Sequence, residues 1–111
     1  MKLYTQYLKE REDMDVVCVE HGFATYKKVS EDTYYLVDVF VEKLYRRNGI
    51  ASELNELVTQ IALQDGAKKL LGSVDITKPN VTGSMAVILA NGYKYSHANG
   101  NGIYFIKEIG G

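Results

Sequence analysis

The sequence predicts an α/β (α+β) fold, a mixed central sheet with helices packed on it, in the order ββ-β-α-β-α-ββ. Three observations lead there. The run "TYYLVDVFVE" at 33–42 is β-branched, aromatic and nearly continuously apolar, as in a central strand covered on both faces. From Ile50 the apolar period changes to that of a helix, and the strand "KKLLGSVDI" follows it. A strand, a helix and a strand in succession imply a parallel crossover. Finally, "NGNG" between "YKYSHA" and "IYFIKEI" is a strong hairpin signal, because Asn-Gly tolerates positive φ.

The remaining elements follow in order. Residues 3–12 suit a short helix with Leu3, Tyr7 and Leu8 on one side. "DVVCVE" and "FATYKKV" read as strands joined by a turn at His21-Gly22, and "SED" forms the next turn. Ile50, Leu54, Leu57, Val58, Ile61 and Ala62 follow helical spacing, and Gly66 supplies the stop. "TGSMAVILANG" reads as a second short helix ended at Asn91-Gly92, with Pro79 in the loop before it.

Composition bounds the function. The 111 residues fit one domain, 1–111, with 46% hydrophobic and 24% charged residues, which argues for a folded chain. A net charge of −1 gives no global attraction for nucleic acid or anionic lipid. The single cysteine, Cys18, excludes an internal disulfide framework, and no apolar run approaches a membrane span or a signal peptide. The expectation is a cytoplasmic protein without nucleic-acid or membrane partners.

The chemistry concentrates in "LYRRNGIASEL". A loop leaves the carboxyl end of a central strand and opens a helix, whose first N–H groups are unpaired and lie at the positive end of its dipole. Gly49 and Ala51 keep bulk away from the backbone, and Arg46 and Arg47 add positive charge. That combination suits a phosphate or pyrophosphate. No Walker loop and no G-x-G-x-x-G is present. A plain strand-to-helix turn, using Gly for conformation and Arg for solubility, accounts for the loop equally well.

Wider spacing resembles the GNAT superfamily of N-acetyltransferases. Their motif [RQ]-x-x-G-x-[GA] reads here Arg46-Arg47-Asn48-Gly49-Ile50-Ala51, with Val41 five residues earlier and Tyr45 directly before it. Ser52 and Leu54 match the usual helix opening, and Gly92-Tyr93 matches the terminal Gly-Phe or Gly-Tyr. The element order agrees over residues 15–109. The resemblance implies a GNAT-like sheet and acetyl-CoA as co-substrate. The backbone from Arg47 to Ser52, with Arg46 beside it, would hold its pyrophosphate. Main-chain groups near Val39, Phe40 and Val41 would pair with the pantetheine arm, and one N–H there would polarise the thioester carbonyl. Asn80 lies one residue out of register with an asparagine that touches the cofactor in the family; a helix cap is its plainer role.

Two departures stand out. Some fifteen residues precede the first clear strand, where family members place two helices that wall the acceptor site. The acceptor site would then be open, suited to a protein side chain, or completed by a second copy in a homodimer. The tyrosine that protonates the leaving thiolate in the family is replaced by Ile88, a tolerable loss for a thiol of pKa about 8.5.

An amine of pKa about 10.4 must lose a proton before it attacks. Asp38 is the candidate base: alternation puts it with Leu36, Phe40 and Glu42, opposite Tyr35, Val37, Val39 and Val41, which would pack under the helix. A carboxylate in apolar surroundings suits that role, directly or through water, as well as that of a hydrogen-bonded structural aspartate. Tyr93 is the candidate proton donor, with packing as its alternative. Cys18 alternates within a strand as a core residue would. Glu42, His21 and His97 read as surface residues, the histidines without metal-ligand spacing. The reading is direct acetyl transfer to a primary amine, of a small molecule or a protein. A CoA-binding domain that has lost transfer, or a small interaction module with a basic loop, are the alternatives.

Overall fold

A computed structural model describes residues 2–110, so Met1 and Gly111 at the ends of the expected domain lie outside the described span. The elements are α1 (Lys2–Glu12), β1 (Asp15–Val19), β2 (Gly22–Ser30), β3 (Thr33–Val41), a single 3-10 turn (Lys43–Tyr45), α2 (Ile50–Gln64), β4 (Lys69–Asp75), α3 (Val81–Ala90), β5 (Lys94–Asn99) and β6 (Gly102–Glu108). The expected order is present, preceded by α1. Of the α1 residues expected to face inward, Leu8 is buried, whereas Leu3 and Tyr7 stand in solvent.

The six strands form one sheet in the order β1-β2-β3-β4-β6-β5. All neighbours are antiparallel except β3 and β4, which α2 joins as a parallel crossover. Helix α2 lays Leu54, Val58 and Ala62 on the sheet, where they meet Ala24, Tyr26, Tyr34, Leu70, Val74 and Phe105. Its end is set by Gly66, whose φ of +83° suits glycine and whose N–H closes on the Leu63 carbonyl. Val81, Met85 and Ile88 of α3 pack on this same cluster. Helix α1 approaches the sheet from the other side, setting Tyr4 edge-on to Phe23.

The alternation expected along β3 does not survive. Thr25 pairs with Asp38 but Tyr26 pairs with Leu36, so β3 carries one extra residue, Val37. Such a bulge advances the side-chain phase by one position. Tyr34 and Leu36 therefore face the α2 side before it, and Val39 and Val41 after it. Leu36 does not share a face with Asp38. Nor is the strand covered on both faces: Asp38 and Phe40 are exposed on the side away from α2. Cys18, expected in the core, is exposed as well, directly opposite Phe23 in the ladder.

Candidate functional site

The bulge falls where β3 parts from β4. Parallel pairing runs from Thr33↔Lys69 to Leu36↔Gly72 and stops there, although both strands continue. Beyond that point β4 stays paired with β6 and β3 with β2, so the two open a cleft between them. A bulge bends its strand and increases local twist, which is the physical reason for the parting. At its apex, Tyr93 lies against Gly72: a Cβ on Gly72 would meet the ring at 3.5 Å.

The bare edge of β3 can be assigned by parity. In an antiparallel ladder, alternate residues turn both main-chain groups to the same neighbour. The Glu42 N–H reaches the His21 carbonyl at 2.9 Å, on the β1–β2 side. Val41, and by the same alternation Val39, therefore present their groups to the cleft. Their partners agree: Arg46 Nε donates to the Val41 carbonyl at 3.0 Å, and Asp38 Oδ1 accepts from the Val39 N–H at 2.9 Å.

The loop at 46–49 follows from that edge. Arg47 (φ +69°) and Gly49 (φ +78°) are both left-handed and bracket Asn48. Such turns curl the main chain into concavities that favour anions. Gly49 caps α2 through its carbonyl, which takes the Glu53 N–H at 3.0 Å, and no side chain caps the helix. The N–H groups of Ile50, Ala51 and Ser52 precede the first intrahelical bond and have no acceptor within the helix. A side chain at Gly49 would meet nothing within 4 Å, so the space before the helix is open. The expected residues Arg46 to Ser52 and Val39 to Val41 thus adjoin one continuous edge.

The root of this loop is fastened in a way the sequence did not suggest. His21 Nδ1 donates to Glu42 Oε2 at 2.6 Å, and its ring stacks on Tyr45 at 3.4 Å with an interplanar angle of 5°. His21, expected as a surface residue, is half-buried and ties the β1–β2 turn to the entry of the loop. His97 does lie exposed, stacked on Tyr104.

The candidate catalytic residues are placed differently from each other. Asp38 stands exposed at the cleft, not shielded from water. Tyr93 is buried, 4% exposed, and its hydroxyl donates to Asn55 Oδ1 at 2.7 Å. Burial pushes that hydroxyl well above the ordinary tyrosine value, which disfavours release of its proton. Ile88 packs on the core. Asn80 occupies the cap position of α3 with φ +62°, but its side chain makes no capping hydrogen bond; it fills the space beside Gly83 that a Cβ would need. Asn55 is the residue the sequence reading missed, a polar side chain buried on α2 beside Leu54, Val58 and Thr59. Among the described residues no group of three His, Cys, Asp or Glu side chains could hold a metal ion. No helix among them is long and apolar enough to cross a membrane.

Comparison with known proteins places this geometry. The family model described as Acetyltransferase (GNAT) family matches residues 3–93. None of the curated proteins compared matches the chain. Among solved structures, a GNAT-family acetyltransferase from Desulfovibrio desulfuricans is 16% identical with a TM-score of 0.80, covering 97% of this chain and 80% of its own. A GNAT acetyltransferase from Elizabethkingia anophelis, solved with acetyl-CoA bound, is 17% identical (TM-score 0.74; 96% of this chain, 82% of its own). The PaiA N-acetyltransferase of Thermoplasma acidophilum, in complex with coenzyme A, is 16% identical (TM-score 0.76; 96% and 69%). With a mixed six-stranded sheet, a parted parallel pair and a matched family model over most of its length, the chain belongs to the GNAT family of acetyltransferases.

Proposed function

We infer that the protein transfers an acetyl group from acetyl-CoA to a primary amine by direct attack in a ternary complex. The observation that carries this reading is the cleft: pairing ends at Leu36↔Gly72, and the bared edge of β3 leads into a cationic loop at a helix start. A ligand with an amide-bearing arm and a pyrophosphate matches both parts. The residues present fit it. Open space precedes α2 at Gly49, and Val39 and Val41 have main-chain groups directed to the cleft.

In this reading the amides of Gly49 to Ser52 and the guanidinium of Arg47 hold the pyrophosphate. Arg46 keeps the strand end in place through the Val41 carbonyl. Acetyl-CoA supplies an acetyl thioester, an activated acyl group with a fair leaving group. The Val39 N–H is the donor aimed at the cleft, and at present it is held by Asp38. An arm entering the cleft takes this N–H, and the Asp38 carboxylate is released on the face opposite α2. There it is placed to accept a proton from an amine, directly or through water. No covalent enzyme intermediate is called for, since no activated nucleophile adjoins the cleft among the described residues. Tyr93 is given no role in proton transfer; it holds the apex of the cleft.

Calorimetric titration with acetyl-CoA tests the site. Gly49→Glu puts bulk and negative charge before α2 and is expected to abolish binding; unchanged affinity would refute the assigned loop. Asp38→Asn is expected to lower turnover more than acetyl-CoA affinity, and equal activity removes Asp38 as base. A second reading, a CoA-binding domain without transfer, draws support from Tyr93 and Ile88: the first is held by Asn55 in the core and the second is apolar, so neither of these positions supplies a proton donor. Thiol release from acetyl-CoA with a panel of amines separates the two.

A further inference from the structure

The cationic loop has no core of its own. Residues 42–49 are all exposed, and among the described residues neither Arg46 nor Arg47 stands in an ion pair. An exposed segment with glycine in it samples many conformations unless something outside it selects one. Some of its bonds are internal, such as Tyr45 N–H to the Glu42 carbonyl at 2.9 Å. The outside support comes from the β1–β2 turn. At the start of the loop the Glu42 N–H reaches the His21 carbonyl at 2.9 Å, and the Glu42 carboxylate takes the His21 Nδ1–H at 2.6 Å. In its middle the imidazole stacks on the Tyr45 ring at 3.4 Å. At its far end, Gly22 lies so close that a Cβ there would stand 2.6 Å from the Phe40 carbonyl and 3.4 Å from Cγ2 of Ile50, the first residue of α2. The other imidazole nitrogen is 3.8 Å from the Glu20 carboxylate, and the residue borders a half-open hollow of about 200 Å³ shared with Cys18 and Phe23. The close partners of the ring are thus both in the loop.

We propose that His21 is a positioning residue for the donor: by holding Glu42 and Tyr45 it keeps residues 46–49 shaped for a pyrophosphate before one arrives. The role rests on the acetyl-CoA reading of the loop. It does not extend to the arm of the donor, since Val39 and Val41, whose main-chain groups face the cleft, are held by other partners. Two effects act in the same direction. A site that is competent for only a fraction of the time loses affinity by that fraction. A loop released from its stack and its bond therefore binds more weakly, because the ligand must first order it. The second effect is electrostatic. Glu42 is the carboxylate nearest in sequence to the two arginines, and the bond from His21 occupies it. Set free, it competes with the pyrophosphate for Arg47 and brings a like charge beside the anion. A histidine that only stabilised the fold would, when removed, weaken every ligand alike. A positioning histidine weakens the pyrophosphate and spares the arm.

The test is titration of the ¹⁵N-labelled protein and of His21→Ala with CoA and with S-acetylpantetheine, which carries the arm without the pyrophosphate. Affinity for CoA should fall about tenfold, the size expected for one hydrogen bond to a charged group, and affinity for S-acetylpantetheine should not change. His21→Gln, which can still donate to Glu42 but cannot stack, should recover part of the loss and bind CoA about threefold more weakly than the unaltered protein. Without ligand, ¹⁵N order parameters of His21→Ala should drop at 43–49 and hold at 54–62. Unchanged CoA affinity, an equal loss for both ligands, or unchanged order at 43–49 overturns the proposal. Tyr45→Ser removes the stack from the exposed side and does not depend on His21→Ala folding. It should weaken CoA about threefold and leave S-acetylpantetheine alone, and equal CoA binding by this variant also overturns the proposal. The two readings part cleanly. No CoA binding by the unaltered protein removes the acetyl-CoA reading and the donor role with it, whereas CoA binding that His21→Ala leaves intact removes the role of His21 alone.

Discussion

Helices α2 and α3 flank the same cleft on the same face of the sheet, yet they are held by opposite means. Helix α2 mixes charged and apolar residues in a helical stripe and buries Leu54, Asn55, Val58, Thr59 and Ala62. Helix α3 is the more apolar in composition, broken only by Thr82, Gly83 and Ser84, and buries no residue fully; Val87 and Leu89 stand 39% and 52% exposed. Segregation of apolar residues to one side, rather than their number, decides how much a helix contributes to a core. Fastening differs as well. Asp65, just after α2, receives the Tyr34 hydroxyl at 2.7 Å and the Lys28 ammonium at 3.0 Å. The segment just after α3 is tied to the first half of α2 through side chains, Asn91 Nδ2 to Ser52 Oγ at 3.1 Å and the Tyr93 hydroxyl to Asn55 Oδ1 at 2.7 Å, while α3 itself has no such fastening among the described residues. One wall of the cleft is therefore built into the core, and the other leans on it.

The comparison can be broken first at its strongest point. Leu54→Ala removes a fully buried side chain from the centre of the α2 contact and should cost about 3 kcal/mol in chemical denaturation. A loss below about 1 kcal/mol would mean that α2 is no better anchored than α3. Next comes the bond that ties α2 to Tyr93, three residues beyond the end of α3. Tyr93→Phe leaves the buried Asn55 carboxamide oxygen without its donor and should cost about 1–2 kcal/mol in the same assay. Turnover in the acetylation assay should follow the folded fraction, since Tyr93 is a core anchor in this arrangement. A loss of turnover with stability unchanged would restore it as a proton donor.

These two residues also show what sequence can and cannot disclose. Leu54 was legible because helical spacing is a local property, and the same holds for Gly49 and the cationic loop, where residue types alone specify an open helix start. The bulge at Val37 was not legible. It arises from pairing between β2 and β3, and without it a strict two-residue alternation assigned Leu36 to the face of Asp38. Cys18 failed for a related reason: alternation says which residues share a face, but not that this face of β1 lies open beside the hollow. Asn55 and Tyr93 were each visible as polar or aromatic residues, while their meeting across 38 positions was not. His21 likewise found Glu42 and Tyr45 only through the fold.

A smaller effect is expected at the end of α2, and it depends on pH. The hydrogen bond from Tyr34, then the ammonium of Lys28, hold the Asp65 carboxyl below its ordinary value. A group whose pKa is depressed by folding adds stability above its unfolded pKa of about 3.9, and that stability is lost as pH falls through the folded value. The urea midpoint of Asp65→Asn should therefore lie below that of the unaltered protein at pH 7, and the gap should close toward pH 2. A gap independent of pH would assign the effect to packing instead of charge.

The smallest effect is expected on α3 and bears most directly on function. Leu89→Ser replaces an apolar side chain that is already half in water, so the change in unfolding free energy should stay within about 0.5 kcal/mol. Hydrogen exchange should show the same asymmetry, with amides of α3 exchanging before those of α2 because fewer buried contacts hold them. If acetyl-CoA enters the cleft between the parted strands, it gains its contacts against a firm α2 and a loosely held α3. Protection should then rise mainly in residues 81–90 on binding, and hardly at all in the already protected 54–62. Equal protection of both helices before ligand, or a rise confined to α2, would show that the two walls do not differ in the way their packing indicates.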